Sequence, residues 1–247
     1  MWYIAPMAQT AAAQGLSSPD TGRDTVVQNS LLAISTALMA GTLYLVYFWV
    51  PTEANLGVSQ RIFYFHVPLG WLGMISIIIV ALASSMHLLT RRSQWDTLAH
   101  TAAELGVVFA SLIIVTGSLW AKPVWGVWWT WDAKLTTTLI LWFIFVGYLM
   151  LRTYGPSGSQ GVRYAAVVAL IGAIDAPMIY MATEWWRTAH PEINIGPLAD
   201  SGGLDGRMAF TLIFSMVAFS ALYSCLIIER YSLRRTEEAV DELFRAI

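Results

Sequence analysis

The chain has 247 residues, of which 57% are hydrophobic and 12% charged, with a formal net charge of −2 and a mean hydropathy of +0.58. Soluble domains carry about 25% charged residues, so the composition excludes a soluble domain and indicates an integral membrane protein with no nucleic-acid partner. A single cysteine, Cys225, excludes an intrachain disulfide and a CxxC redox pair and reads as packing.

Residues 1–29 are rich in Ala, Gln, Ser and Thr, include Pro6 and Pro19, and lack a basic stretch followed by an apolar core. They read as a mobile cytoplasmic extension rather than a signal peptide. Residues 30–230 then form the membrane domain, with six apolar runs near the roughly 20 residues that cross the hydrocarbon. The runs cover Leu31 to Val50, Val67 to Leu89, Leu98 to Leu119, Leu135 to Leu151, Tyr164 to Thr183 and Met208 to Ile228. Runs this long without polar alternation predict an all-α polytopic protein with six transmembrane helices, because a helix satisfies its own backbone in lipid. Residues 231–247 form a C-terminal tail whose Leu233, Val240, Leu243 and Phe244 recur near helical spacing, and it is expected to lie at the membrane surface.

Six spans place both termini on one side. That side collects Arg23, Arg91, Arg92, Arg152, Arg163, Arg230, Arg234, Arg235 and Arg245, and the other only Arg61, Lys122, Lys134, Arg187 and Arg207. The positive-inside rule therefore predicts cytoplasmic termini. Among the polar groups near the spans, Asp175 is read as a structural partner for backbone freed by Pro177, and Glu104 as reaching the headgroups. His87 and His100, at the inner ends of their spans, read as packing residues. No Walker-type phosphate loop occurs, so nucleotide hydrolysis is not expected.

The outer connections carry the unusual chemistry. Residues 120–136 read W-A-K-P-V-W-G-V-W-W-T-W-D-A-K-L-T and hold Trp125, Trp128, Trp129 and Trp131, followed at once by Asp132. Tryptophan collects at membrane interfaces, and the segment fits either an aromatic anchor or an apolar wall for a large planar ligand. On the same side stand His66, in Ser59-Gln-Arg-Ile-Phe-Tyr-Phe-His66, and His190, in Glu184-Trp-Trp-Arg-Thr-Ala-His190. Each has an arginine close by in sequence, Arg61 and Arg187 respectively. Two neutral imidazoles beside a tryptophan shelf suit bis-axial ligation of haem iron, with the guanidinium groups pairing with propionates. Zinc, or no ligand at all, also remains open for two histidines, although zinc lacks an obvious third ligand.

The run Trp125-Gly-Val-Trp128-Trp129-Thr-Trp131-Asp132-Ala-Lys134-Leu-Thr136 resembles the WWD signature of haem-handling membrane proteins. The runs Gln60-Arg61-Ile62-Phe63-Tyr64-Phe65-His66-Val67-Pro68 and Trp185-Trp186-Arg187-Thr188-x-His190 resemble the CcmC branch of that superfamily. The resemblance spans about Leu31 to Arg230. It implies an inner-membrane protein of cytochrome c maturation that binds haem b as cargo at the outer face and passes it to the haem chaperone CcmE. The implied complex also contains the CcmA and CcmB subunits and CcmD. His66 and His190 would be the axial ligands, and Trp125, Trp128, Trp129, Trp131 and Asp132 the haem-edge platform. Lys134 departs from the arginine usual at its position, which loses a bidentate fork. Such a protein is expected to be a transfer protein rather than an enzyme. A longer synthase of the CcmF or CcsA type, or a permease subunit without its own ligand, are the competing readings.

Overall fold

The computed structural model describes residues 21–156, 158–186, 188, 190 and 204–245. Its framework is six helices in chain order: α1 (Thr21–Tyr44), α2 (Phe63–Thr90), α3 (Ser93–Trp125), α4 (Ala133–Tyr154), α5 (Ser159–Trp185) and α6 (Gly206–Arg245). Each contains a stretch long and apolar enough to cross a membrane, so the chain is a multi-pass membrane protein. No strand occurs among the described residues.

Residues 1–20 of the expected N-terminal extension lie outside the described residues, but α1 begins at Thr21, before the first apolar run. The helix closes in a π turn, Leu45–Trp49, where the Val50 amide donates to the Leu45 carbonyl at 2.8 Å. Pro51 explains the stop, because the residue before a proline is pushed out of helical geometry, and Val50 is extended at ψ 135°. Several helices outrun their apolar cores. With a rise of about 1.5 Å per residue, the 33 residues of α3 reach about 50 Å, well beyond a hydrocarbon layer of about 30 Å.

The helix α2 lies at the centre and packs against α3, α5 and α6. Along α3, Ala99, Ala102, Ala103, Gly106 and Ala110 form a stripe of small residues that admits α2 and α4 closely. Small residues let membrane helices approach, since burial from lipid supplies little hydrophobic drive. The Phe145 ring of α4 rests on Gly106, where a Cβ would collide with it.

At the end bearing the α2–α3 turn, Val27 of α1, Trp95 of α3 and Tyr231 of α6 line one cavity, placing both ends of the described chain on that side. Two expectations are corrected there. Glu104 does not reach for headgroups: it accepts from Arg230 at 2.6 and 2.9 Å and from Arg234 at 3.1 Å. The C-terminal stretch, rather than lying separately at the surface, continues α6 to Arg245, and Glu238 accepts a hydrogen bond from Thr97 on α3 at 2.8 Å. Two arginines and a carboxylate neutralise one another more cheaply at the edge of a bilayer than any of them alone. His100 belongs to the same polar cluster, 3.7 Å from Glu104, and is buried.

Candidate functional site

The opposite end of the bundle carries the histidines. His66 sits in the first turns of α2, which follow directly from a 3₁₀ turn, Val58–Ile62. Buried Gln60 in that turn donates to the Tyr64 hydroxyl at 3.0 Å and ties the turn to the helix. An apolar cluster of Val46, Val50, Phe63, Tyr64, Trp120, Met208 and Leu212 joins α1, α2, α3 and α6 around this point. The His66 residue is only 8% exposed.

The ring of His66 is held from α3. Its Nδ1 lies 2.9 Å from Thr116 Oγ1, its centroid is 5.8 Å from Trp120 in a tilted edge contact, and a Cβ placed on Gly117 would come within 3.0 Å of its Cε1. Thr116, Gly117 and Trp120 recur at helical spacing and present one face, with glycine where the ring needs room.

His190 follows α5, which ends in the edge-to-face pair Trp185 and Trp186 at 5.7 Å. Its ring centroid is 6.4 Å from that of His66, with the planes inclined at 34°. Two imidazoles in line with one metal, bonded at about 2.0–2.1 Å to its opposite sides and with each centroid about 1.15 Å behind its nitrogen, stand about 6.3–6.5 Å apart. The observed separation falls in that interval. No group of three or more His, Cys, Asp or Glu able to hold a metal exists among the described residues.

Between α3 and α4 runs the tryptophan segment. Pro123 and Gly126 end α3; Gly126 adopts φ 76°, and its amide donates to the Lys122 carbonyl at 3.0 Å. Lys122 in turn donates to the Gly126 carbonyl at 2.8 Å and lies 5.8 Å from the centre of the Trp128 ring. Asp132 caps α4: one carboxylate oxygen accepts from the Leu135 amide at 3.0 Å and the other from the Thr130 hydroxyl at 2.9 Å. Between these locks, Trp129 and Trp131 meet edge to face at 5.8 Å. Trp128 and Trp131 are exposed, Trp125 and Trp129 half-buried, and the Trp129 Nε1 is buried without a hydrogen-bond partner among the described residues. Lys134, in the first turn of α4, lies within electrostatic range of His66.

The two arginines fare differently from the histidines. Arg61 stacks over Tyr47 at 5.9 Å and lines a cavity of about 320 Å³ with Val58, Ile62 and Phe65. Its Nε is buried and unpaired among the described residues. Arg187 lies outside the described residues. The positions not singled out from sequence are Thr116, Gly117 and the role of Trp120 in seating His66. Their only signal is a shared helical face, because the ring they hold lies 50 residues away in the chain.

The family described as Heme exporter protein C, CcmC, matches residues 16–243. The chain is 35% identical over 176 residues to the heme exporter protein C of Bradyrhizobium diazoefficiens, covering 71% of this chain and 66% of that protein. It is 33% identical over 182 residues to that of Escherichia coli K12, covering 74% and 73%. With the protein of Haemophilus influenzae the identity is 32% over 190 residues, 77% of each chain. A match over nearly the whole chain, with the motif residues and six spans in one arrangement, means that this chain belongs to the CcmC family.

Proposed function

We propose that this chain binds haem b as cargo at the outer face of a bacterial inner membrane and delivers it to the haem chaperone CcmE during cytochrome c maturation. In this reading it is the haem-holding subunit of a complex with CcmA, CcmB and CcmD, and its task is binding and transfer rather than catalysis. His66 and His190 are the axial ligands. The observation that carries the reading is their 6.4 Å ring separation, which suits two ligands on one iron. Family membership supports haem as the cargo, since the relatives are named as heme exporters.

The other residues take roles consistent with that geometry. Two histidines suit an iron whose remaining four positions are filled by a porphyrin. The exposed faces of Trp128 and Trp131 offer an apolar rest for a macrocycle edge that another protein must still reach. Asp132 serves this platform by locking its backbone. Lys134 and Arg187 are the cations assigned to propionates, Lys134 through its position near His66. Arg61 is assigned a supporting role beside Tyr47. The excess of arginine at the opposite end favours that end as cytoplasmic, which turns the histidines toward the periplasm.

The test is purification with haem and absorption spectroscopy of His66→Ala and His190→Ala. Each variant is expected to lose the low-spin bis-histidine spectrum and most of its haem, with external imidazole restoring part of the spectrum. Wild-type spectra and occupancy in both variants would refute the axial assignment.

A further inference from the structure

We propose that Thr116 is the positioning residue of the His66 ligand: its hydroxyl holds the proton of His66 on Nδ1 and leaves the Nε2 lone pair free for iron. This rests on the proposed role of His66, but the argument for the proton comes from hydrogen bonding alone. Thr116 Oγ1 lies 2.7 Å from the Leu112 carbonyl, one turn back in α3, with the Ile113 carbonyl at 3.3 Å. Carbonyl oxygens only accept, and the shortest of the three contacts, to the Leu112 carbonyl, is the one that takes the single hydroxyl proton of Thr116. With that proton on the Leu112 carbonyl, the 2.9 Å contact between Thr116 Oγ1 and His66 Nδ1 is made by the imidazole proton, and the geometry points to Nδ1 as the donor.

A neutral imidazole with its proton on Nδ1 has an unprotonated Nε2. The nitrogen that binds metal is set by the hydrogen bond that the other nitrogen makes, and the acceptor also fixes the ring plane and raises the ligand's basicity. Around this bond the ring has little freedom. Trp120 borders it at 5.8 Å, and the Gly117 backbone passes so close that even a methyl group would press on Cε1. The face Thr116, Gly117 and Trp120 is therefore a preformed seat: hydrogen bond, clearance and wall come from one rigid helix. The acceptor is a neutral hydroxyl rather than a carboxylate. It orients the ring without giving it imidazolate character, which suits a ligand that must later release its iron.

The proton is read directly by solid-state nitrogen NMR of haem-free protein, labelled at histidine nitrogens and reconstituted in bilayers. The chain has four histidines, and subtraction of the His66→Ala spectrum assigns the pair of signals from His66. Wild type is expected to carry the proton on Nδ1. The near-isosteric Thr116→Val should lose this fixed tautomer, and Thr116→Ser should restore it. In haem-loaded protein Thr116→Val should bind haem roughly 10-fold or more weakly, the range seen on losing such partners. Its iron potential should move in the positive direction, as a less basic imidazole donates less to ferric iron, and Thr116→Ser should return both to wild type. A wild-type proton on Nε2 overturns the proposal, as does an unchanged tautomer, affinity and potential in Thr116→Val. If haem spectra do not respond to His66→Ala while the NMR result stands, it is the haem assignment that fails and not the Thr116 bond.

Discussion

Gly117 leaves the space that His66 occupies: a Cβ at residue 117 would lie 3.0 Å from Cε1 of the imidazole and 3.9 Å from its Nε2. The substitution Gly117→Ala therefore sets helix propensity against the site. Alanine is favoured over glycine in a helix by about 1 kcal/mol, so the bundle should be as stable as wild type or slightly more. The ring, pinned by Thr116 and bordered by Trp120, must shift by a few tenths of an ångström. Haem occupancy after purification is expected to fall several-fold while thermal stability of the haem-free protein does not. Equal haem occupancy in Gly117→Ala would mean that the ring has more room than this packing indicates.

Asp132 gives a second separation, between building the platform and touching the cargo. Both its oxygens are used inside the segment, one on the Leu135 amide and one on the Thr130 hydroxyl. Losing a helix cap costs about 0.5–2 kcal/mol. Asp132→Ala should raise hydrogen exchange across Thr130 to Leu135. Asp132→Asn keeps an acceptor for the helix amide and should preserve most protection there. Equal exchange in wild type and Asp132→Ala would remove the structural role assigned to this carboxylate.

The tryptophan faces allow a third expectation. Trp128 is 55% exposed and Trp131 76%, and neither is part of the apolar cluster around His66. Replacing Trp128 and Trp131 together by alanine should leave the six-helix bundle intact and impair capture of the haem-loaded chaperone, measured by copurification. Unchanged complex formation with full haem occupancy would argue for a membrane-interface belt and against a platform.

Much of this arrangement is legible in the chain, for identifiable reasons. Hydropathy locates the six spans because a lipid-facing helix needs a long apolar run, and the four spans between His66 and His190 bring the two to one end. It misses the helical polar ends: Thr21 to the first apolar run, Trp120 to Trp125, and Tyr231 to Arg245 continue helices beyond the region that hydropathy detects. Sequence proximity does not show that Arg61, five residues before His66, lies over Tyr47 in the π turn that closes α1. It is silent for Thr116, whose bond to His66 depends on the register of α3 against α2, and that register is set by the small-residue stripe and not by any local signal. Glu104 shows the same limit. Its neighbours in sequence are apolar, and its partners come from the far end of the chain.

The clamp at Glu104 yields the last expectation. Its carboxylate meets Arg230 through two nitrogens, at 2.6 and 2.9 Å, and Arg234 at 3.1 Å, while Arg230 also reaches Glu237 at 3.1 Å. The side chain of Glu104 is about a quarter exposed, so the strength of a fully buried pair must be discounted. Loss of the central acid leaves two arginines facing one another, and a destabilisation of about 1–3 kcal/mol at this end is expected. Because the clamp joins α3 to α6 below Ile228, the effect should be local. Glu104→Gln should expose the bonds after Arg230, Arg234 and Arg235 to trypsin and speed exchange from Tyr231 onward, with the histidine end unchanged. The double variant Glu104→Gln with Arg230→Gln should recover part of the protection, since it removes the uncompensated charge along with the acid. Identical digestion in wild type and Glu104→Gln would mean that the helix extension is held by its apolar residues and by the Thr97–Glu238 bond, with the ion cluster contributing nothing measurable.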